Sequence, residues 1–269
     1  MRNLVGENVD DIDQIKLGAL KQAIPSSCFQ SSMTISLLYV VRDIIYAGSL
    51  VYLACYIPTL PTLPLRILAW LLYGFVQGCV GTGIWILAHE CGHGSFSSSK
   101  ILNDFVGWVL HSILLVPYFS WKYTHARHHR YTGHIEKDVV FVPRVEPKVS
   151  NKAGLVALMH HAEETPIATL MRLMQHQLIG WQVYLLINAT AGKKSLPDGE
   201  QRTRTGFQSH FAVFGRLFSS TQRWGVLLSD VGLCLTLGFL YIVATRYGWG
   251  FTLLLYLVPY LWVHHWLGE

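Results

Sequence analysis

From residue 67 to residue 88 the chain runs for 22 positions without a charged side chain, then reads HECGH. A helix needs about 20 apolar residues to cross a hydrocarbon core of about 30 Å. In lipid every backbone polar group must be satisfied within the structure, which an open strand cannot do. This stretch is therefore read as a transmembrane helix. Composition agrees, since 51% of the 269 residues are hydrophobic and only 14% charged, with a mean hydropathy of +0.33.

Three further uncharged or nearly uncharged stretches have the needed length, at residues 44–63, 226–245 and 248–267. The first carries Pro58 and Pro61, so its far end is expected to be irregular. The stretch at 226–245 holds Asp230 near its start, expected at headgroup depth. Gly74 and Gly78 are spaced as GxxxG, and with Gly81 and Gly83 they predict close helix packing. Short connections join the first stretch to the second and the third to the fourth. The expected fold is thus an all-α membrane protein, with about four transmembrane helices in two hairpins and a cytosolic helical cap. Its parts are 1–43, an N-terminal segment; 44–88, the first hairpin; 89–225, a cytosolic and interfacial segment; and 226–269, the second hairpin. Residues 105–121 and 178–191 are apolar but too short to cross. The former is read as a re-entrant or interfacial helix, because crossing would put His89 and His125 on opposite faces.

Orientation follows from the basic residues. Arg2, Lys16, Lys21 and Arg42 precede the first span, whereas the two hairpin loops hold only Arg66 and Arg246. The positive-inside rule then places the N-terminus, the long middle segment and the C-terminus in the cytoplasm. The polar, acidic N-terminus does not read as a cleaved signal peptide. The net charge of +5 is scattered rather than gathered into a basic run, which argues against a nucleic-acid partner. Five widely spaced cysteines do not read as a disulfide framework and are expected to be small buried side chains.

The chemistry-bearing residues are histidines in two clusters. His89 and His93 stand four apart, as do His125 and His129, with His128 between them. On a helix such spacings share one face, so each cluster can aim its imidazoles at one centre. Imidazole suits iron, zinc, copper and nickel, and five histidines exceed the three protein ligands of a mononuclear catalytic zinc. Two redox-active metals at a membrane surface are the expectation. HECGH also matches HExxH, the zinc metalloprotease pattern with the glutamate as general base, but that reading leaves HARHH unexplained. Glu90 either orients an imidazole or is an ordinary helix glutamate. His111, His134, His160, His161, His176 and His210 lack a partner at ligand spacing and are expected not to be ligands; His264 and His265 are expected to be interfacial.

The motifs resemble the membrane fatty acid desaturases, in particular the fungal microsomal delta-12/omega-3 group. The resemblance rests on AIPSSCF at 23–29, YVVRD at 39–43, WILAHECGHGSFS at 85–97, LVPYFSWKYTHARHHRYTGHIEKD at 115–138, FVPR at 141–144, GWQVYLLIN at 180–188 and LVPYLWVHHWL at 257–267. It implies a di-iron centre held by His89, His93, His125, His128 and His129. It also implies a fatty acyl substrate carried by a phospholipid or a thioester, dioxygen, electrons from cytochrome b5 and its reductase, and a home among endoplasmic reticulum lipids. Whether such a chain pairs with another desaturase stays open. Family members carry a third box, HxxHH, after the fourth span. The chain stops at Glu269 without one, so a shortened, catalytically inactive desaturase-like membrane protein is the alternative expectation.

Overall fold

The computed structural model describes residues 22–142, 165–197 and 208–265, the side chains of His264 and His265 excepted. Among these residues every regular element is helical. Helix α1, Met33–Ala54, starts where the Ser32 hydroxyl accepts the Ile35 N–H. It ends ahead of a 3-10 turn at Ile57–Thr59, the irregular stretch that Pro58 and Pro61 foretell. Helix α2, Leu63–His93, is 31 residues long, or about 46 Å at 1.5 Å per residue. That exceeds the hydrocarbon thickness by about three turns, an excess that α2 takes up by tilting or by extending beyond the lipid. The end that carries HECGH stops at Gly94, whose φ of 78° closes the helix immediately after His93.

Helices α1 and α2 run antiparallel. Asp43 lies against Gly83, the Gln77 amide donates to the Ala47 carbonyl, and Tyr73 packs with Ala54 and Ile57. The helix that carries the first candidate span, Met33–Thr59, begins at Met33, ahead of the uncharged stretch at 44–63. A scan for uncharged stretches stops at Asp43, yet the Arg42 guanidinium holds that carboxylate at 2.7 Å and the helix continues through both.

Helices α3, Lys100–Ile113, and α4, Tyr118–Tyr131, are bent by 108° where Leu115 adopts a φ of 53° and Pro117 leads into α4. Each has 14 residues, too few to cross alone, and α4 bears Lys122, Arg127 and Arg130. A pair bent this sharply is either a broken span or a re-entrant segment. Next come α5, Pro166–Gln175, a π turn at His176–Gly180 and α6, Trp181–Ile187. Helix α7, Arg223–Tyr247, forms with the preceding turn the third candidate span, Ser220–Tyr247.

The chain then turns at Gly248 into α8, Trp249–Thr252, a π turn at Leu253–Leu257 and α9, Val258–His265. This apolar run, Trp249–Val263, falls short of a full span among the described residues. The small-residue stripe of α2 receives it. A Cβ on Gly74 would stand 2.6 Å from Val258, one on Gly81 2.6 Å from Val263, and one on Gly78 would collide with Trp262. The GxxxG expectation is met by α9, while Gly83 instead accommodates Asp43.

The spans expose large side chains such as Leu38, Leu53, Leu68, Leu71 and Phe239, the surface that lipid covers. The five cysteines are unpaired, but only Cys91 is buried. The expectation of buried cysteines fails for Cys28, in the exposed 3-10 turn Ser26–Phe29, and for Cys55, Cys79 and Cys234, because apolar stretches of a membrane helix face lipid as often as protein.

Candidate metal centre

Box one sits at the C-terminal end of α2 and box two on α4. Gly92 lets the two helices meet, since a Cβ there would stand 2.8 Å from the Trp121 ring. At the crossing, Nε2 atoms converge. His125 Nε2 lies 3.0 Å from His89 Nε2, 3.2 Å from His93 Nε2 and 3.0 Å from His129 Nε2, and His89 and His93 are 3.2 Å apart. All four ligand atoms fall within 4.8 Å of one another. With metal–nitrogen bonds of about 2.1 Å, nitrogens at right angles on one ion stand about 3.0 Å apart and tetrahedral ones about 3.4 Å. Lone pairs packed this closely repel each other, and a cation among them makes the arrangement favourable. The residues present therefore fit a metal ion.

The rings are held from behind. The Glu90 carboxylate takes the Nδ1 side of His89 at 3.1 Å and accepts the Ser95 hydroxyl. That puts the His89 proton on Nδ1 and leaves Nε2 bare for a metal. It also points Glu90 away from the cluster, where an HExxH protease would need its general base. Trp121 stacks on His125 with ring centroids 4.4 Å apart and 21° between planes. Burial, then the neighbouring imidazoles, push the His125 pKa well down, so the ring is neutral and able to ligate.

His128 is not among the four. Its Nδ1 lies 2.7 Å from Asp138 Oδ1. That carboxylate is buried and also accepts the N–H groups of Val140 and Gly133. Burial alone would raise the Asp138 pKa; the Val140 and Gly133 N–H groups and His128 outweigh it and hold the group ionised. Of the remaining histidines, His134 accepts the Glu136 N–H, and His111 is buried behind Trp85 and Trp121. His210 is buried against Leu185 and Thr124, and His176 lines a cavity. His160 and His161, and the side chains of His264 and His265, lie outside the described residues.

The fatty acid desaturase family model matches residues 64–269, a span that contains both boxes. The chain belongs to that family. An oleate hydroxylase of Claviceps purpurea is 39% identical over 259 residues, 92% of this chain and 54% of the relative. A delta(12) fatty acid desaturase of Mortierella alpina is 38% identical over 265 residues, 95% and 64%. A delta(12)-fatty-acid desaturase of Arabidopsis thaliana is 40% identical over 252 residues, 93% and 61%. The chain thus spans between about half and two thirds of the length of these relatives.

Beside the desaturase-family histidines lies a cavity of about 460 Å³, walled by Trp85, Trp121, Trp181 and Tyr184 and touched by His125 and His128. Apolar walls with a few converging polar groups are what a small apolar ligand requires. Three contacts fix the cap around it. Arg127, between the ligating positions of box two, donates to the carbonyls of Ser195 and Leu217. Asp138 holds the end of α4, and Thr124 meets the Tyr184 hydroxyl at 3.2 Å and His210 at 3.3 Å. Sequence reasoning missed these groups. A carboxylate ten residues after His128 was a visible signal; the joins of Thr124 to Tyr184 and His210, 60 and 86 positions apart, left none.

Proposed function

We propose that the chain acts as a membrane-bound fatty acid desaturase of the delta-12 type, introducing a second double bond into a mono-unsaturated acyl chain. The cofactor of this reading is a pair of irons, the electron source is cytochrome b5 with its reductase, and the location is the endoplasmic reticulum. The reading is carried by one observation: four Nε2 atoms converge beside an aromatic cavity at the C-terminal end of an apolar helix. The proposed ligands are His89, His93, His125 and His129, which converge, and His128, which Asp138 holds through Nδ1. The chemistry that irons supply when bound is activation of dioxygen for removal of two hydrogens from the acyl chain.

This chain's own residues do the rest. Glu90 and Asp138 keep protons on the Nδ1 atoms of His89 and His128, leaving the opposite nitrogens free. Trp121 fixes the plane of His125, and the cavity's indoles exclude water and align an apolar tail. Four crossings in two hairpins, with both boxes on the cytosolic face, are supported by the antiparallel packing of α1 on α2. The docking of α9 along α2 in the same direction agrees.

Metal analysis of the purified chain tests the site, with iron expected and lost on His93→Ala. Expression in a host that makes only mono-unsaturated lipids tests the reaction, with di-unsaturated chains expected. Because one relative is named a hydroxylase, the same extracts are checked for hydroxylated chains. Absence of iron, or acyl products that persist unchanged in His93→Ala, overturns the reading.

A further inference from the structure

The stretch from Pro166 to Ile187 carries two different faces. On its outer side Ile167, Leu170, Met171, Met174 and Leu178 share one face, with Leu170, Met171 and Met174 three, four and seven positions after Ile167 and Leu178 four after Met174, each between 48% and 72% exposed. Its one Lys or Arg residue, Arg172, falls five positions after Ile167 and so on the other side of the helix. An apolar row opposite a basic residue is the pattern of a helix lying in the membrane interface. The element is also docked on the membrane body. Gln182 hydrogen-bonds Tyr260 of α9, and Trp181 packs on the cluster of Trp85, Trp121 and Val263.

On its inner side His176, Gly180 and Tyr184 line the cavity beside the histidine cluster. The helix widens here into a π turn, a distortion that concentrates at functional sites. A Cβ at Gly180 would stand 2.9 Å from the His176 ring, so glycine is what allows that imidazole to lie along the rim. The rim is the exposed part of the lining: His176 here, Phe141 and Thr190 opposite, with Trp121 only 3% exposed at the back.

We propose that residues 166–187 lie in the bilayer interface and that the His176–Gly180 turn is the lip over which an acyl chain passes from the lipid leaflet into the cavity. The inference rests on the acyl-chain reading of that cavity and names the route and the residue that sets its width. Photolysis of the chain in phosphatidylcholine vesicles doped with a phosphatidylcholine bearing a mid-chain diazirine, with adducts mapped by mass spectrometry, tests it. A short, water-soluble diazirine thioester is the second probe.

The lipid probe is expected to mark both the outer row and the inner residues Trp121 or Tyr184. Gly180→Leu is expected to lose the inner adducts and keep the outer ones, and Phe141→Ala to gain inner adducts, which a misfolded variant cannot do. Absence of lipid adducts on the outer row, or inner adducts that Gly180→Leu leaves unchanged, overturns the portal alone. Inner residues reached by neither probe, with the outer row marked, overturn the portal and the acyl reading together.

Discussion

His210 gives a stability prediction with a sign and a size. It is fully buried. Its Nδ1 lies 3.2 Å from the Leu185 carbonyl, which can only accept, so the proton sits there and Nε2 faces Thr124 Oγ1 at 3.3 Å. Burial is the main cause that pushes its pKa from 6.5 down to about 3; the Leu185 carbonyl opposes the shift and the Arg127 charge adds to it. The unfolded chain takes up this proton near 6.5 and the folded chain only near 3. The stability tied to the neutral ring is therefore fully present above pH 6.5 and is lost as pH falls through this window. At about pH 5, 1.5 units below the unfolded value, the loss is about 2 kcal/mol at 1.36 kcal/mol per unit. Against a total of about 5–15 kcal/mol that is a large fraction.

Equilibrium unfolding in mixed micelles at about pH 7.5 and about pH 5, for the parent and for His210→Gln, reads this directly. Glutamine can donate to Leu185 and accept from Thr124 without titrating, and the other histidines cancel in the difference. The parent is expected to lose about 2 kcal/mol more than the variant across that interval. Equal losses in the two proteins refute the reasoning.

His125→Ala is expected to abolish metal uptake, because His125 is the one imidazole within 3.2 Å of the other three; His134→Ala, whose ring accepts a backbone N–H outside the cluster, is expected to leave uptake unchanged. Metal titration of the purified variants decides. Asp138→Asn removes the charge that fixes His128 and is expected to weaken metal affinity by about 10–100-fold; unchanged affinity would count against His128 as a ligand. Gly78→Leu drives a side chain into Trp262 and is expected to cost about 1–3 kcal/mol, whereas Gly48→Ala, with nothing within 4 Å, is expected to be neutral or slightly stabilising. Thermal unfolding of the two in nanodiscs separates them.

What the sequence shows plainly is what depends on spacing along one helix. HECGH and HARHH disclose shared faces because residues four apart always meet, and Gly74, Gly78 and Gly81 disclose a groove for the same reason. What it hides depends on a second element. That α9, rather than α1, fills the groove required knowing where Val258 and Trp262 come to rest. Charge counting also gave no sign that α1 runs on through Arg42 and Asp43, since Asp43 is screened by the residue next to it. His128 shows the limit within a motif: i, i+3 and i+4 put three rings on one side of α4, but the carboxylate that holds the middle one, Asp138, lies beyond the motif.

These hidden contacts explain how the centre keeps its shape. Four imidazoles with facing lone pairs repel until a cation binds, so the protein must oppose that repulsion by other means. On α2 the opposition comes from Glu90 and from the packing of Gly92 on Trp121. On α4 it comes from Trp121, from Arg127 bound to the carbonyls of Ser195 and Leu217, and from Thr124 bound to Tyr184 and His210. The restraints through Arg127 and Thr124 all reach segments more than 55 residues away in sequence. The cap after box two is therefore part of the metal centre's support as well as the cavity's wall. Loosening it, as at His210 in acid, is expected to disperse the histidines before the spans themselves unfold.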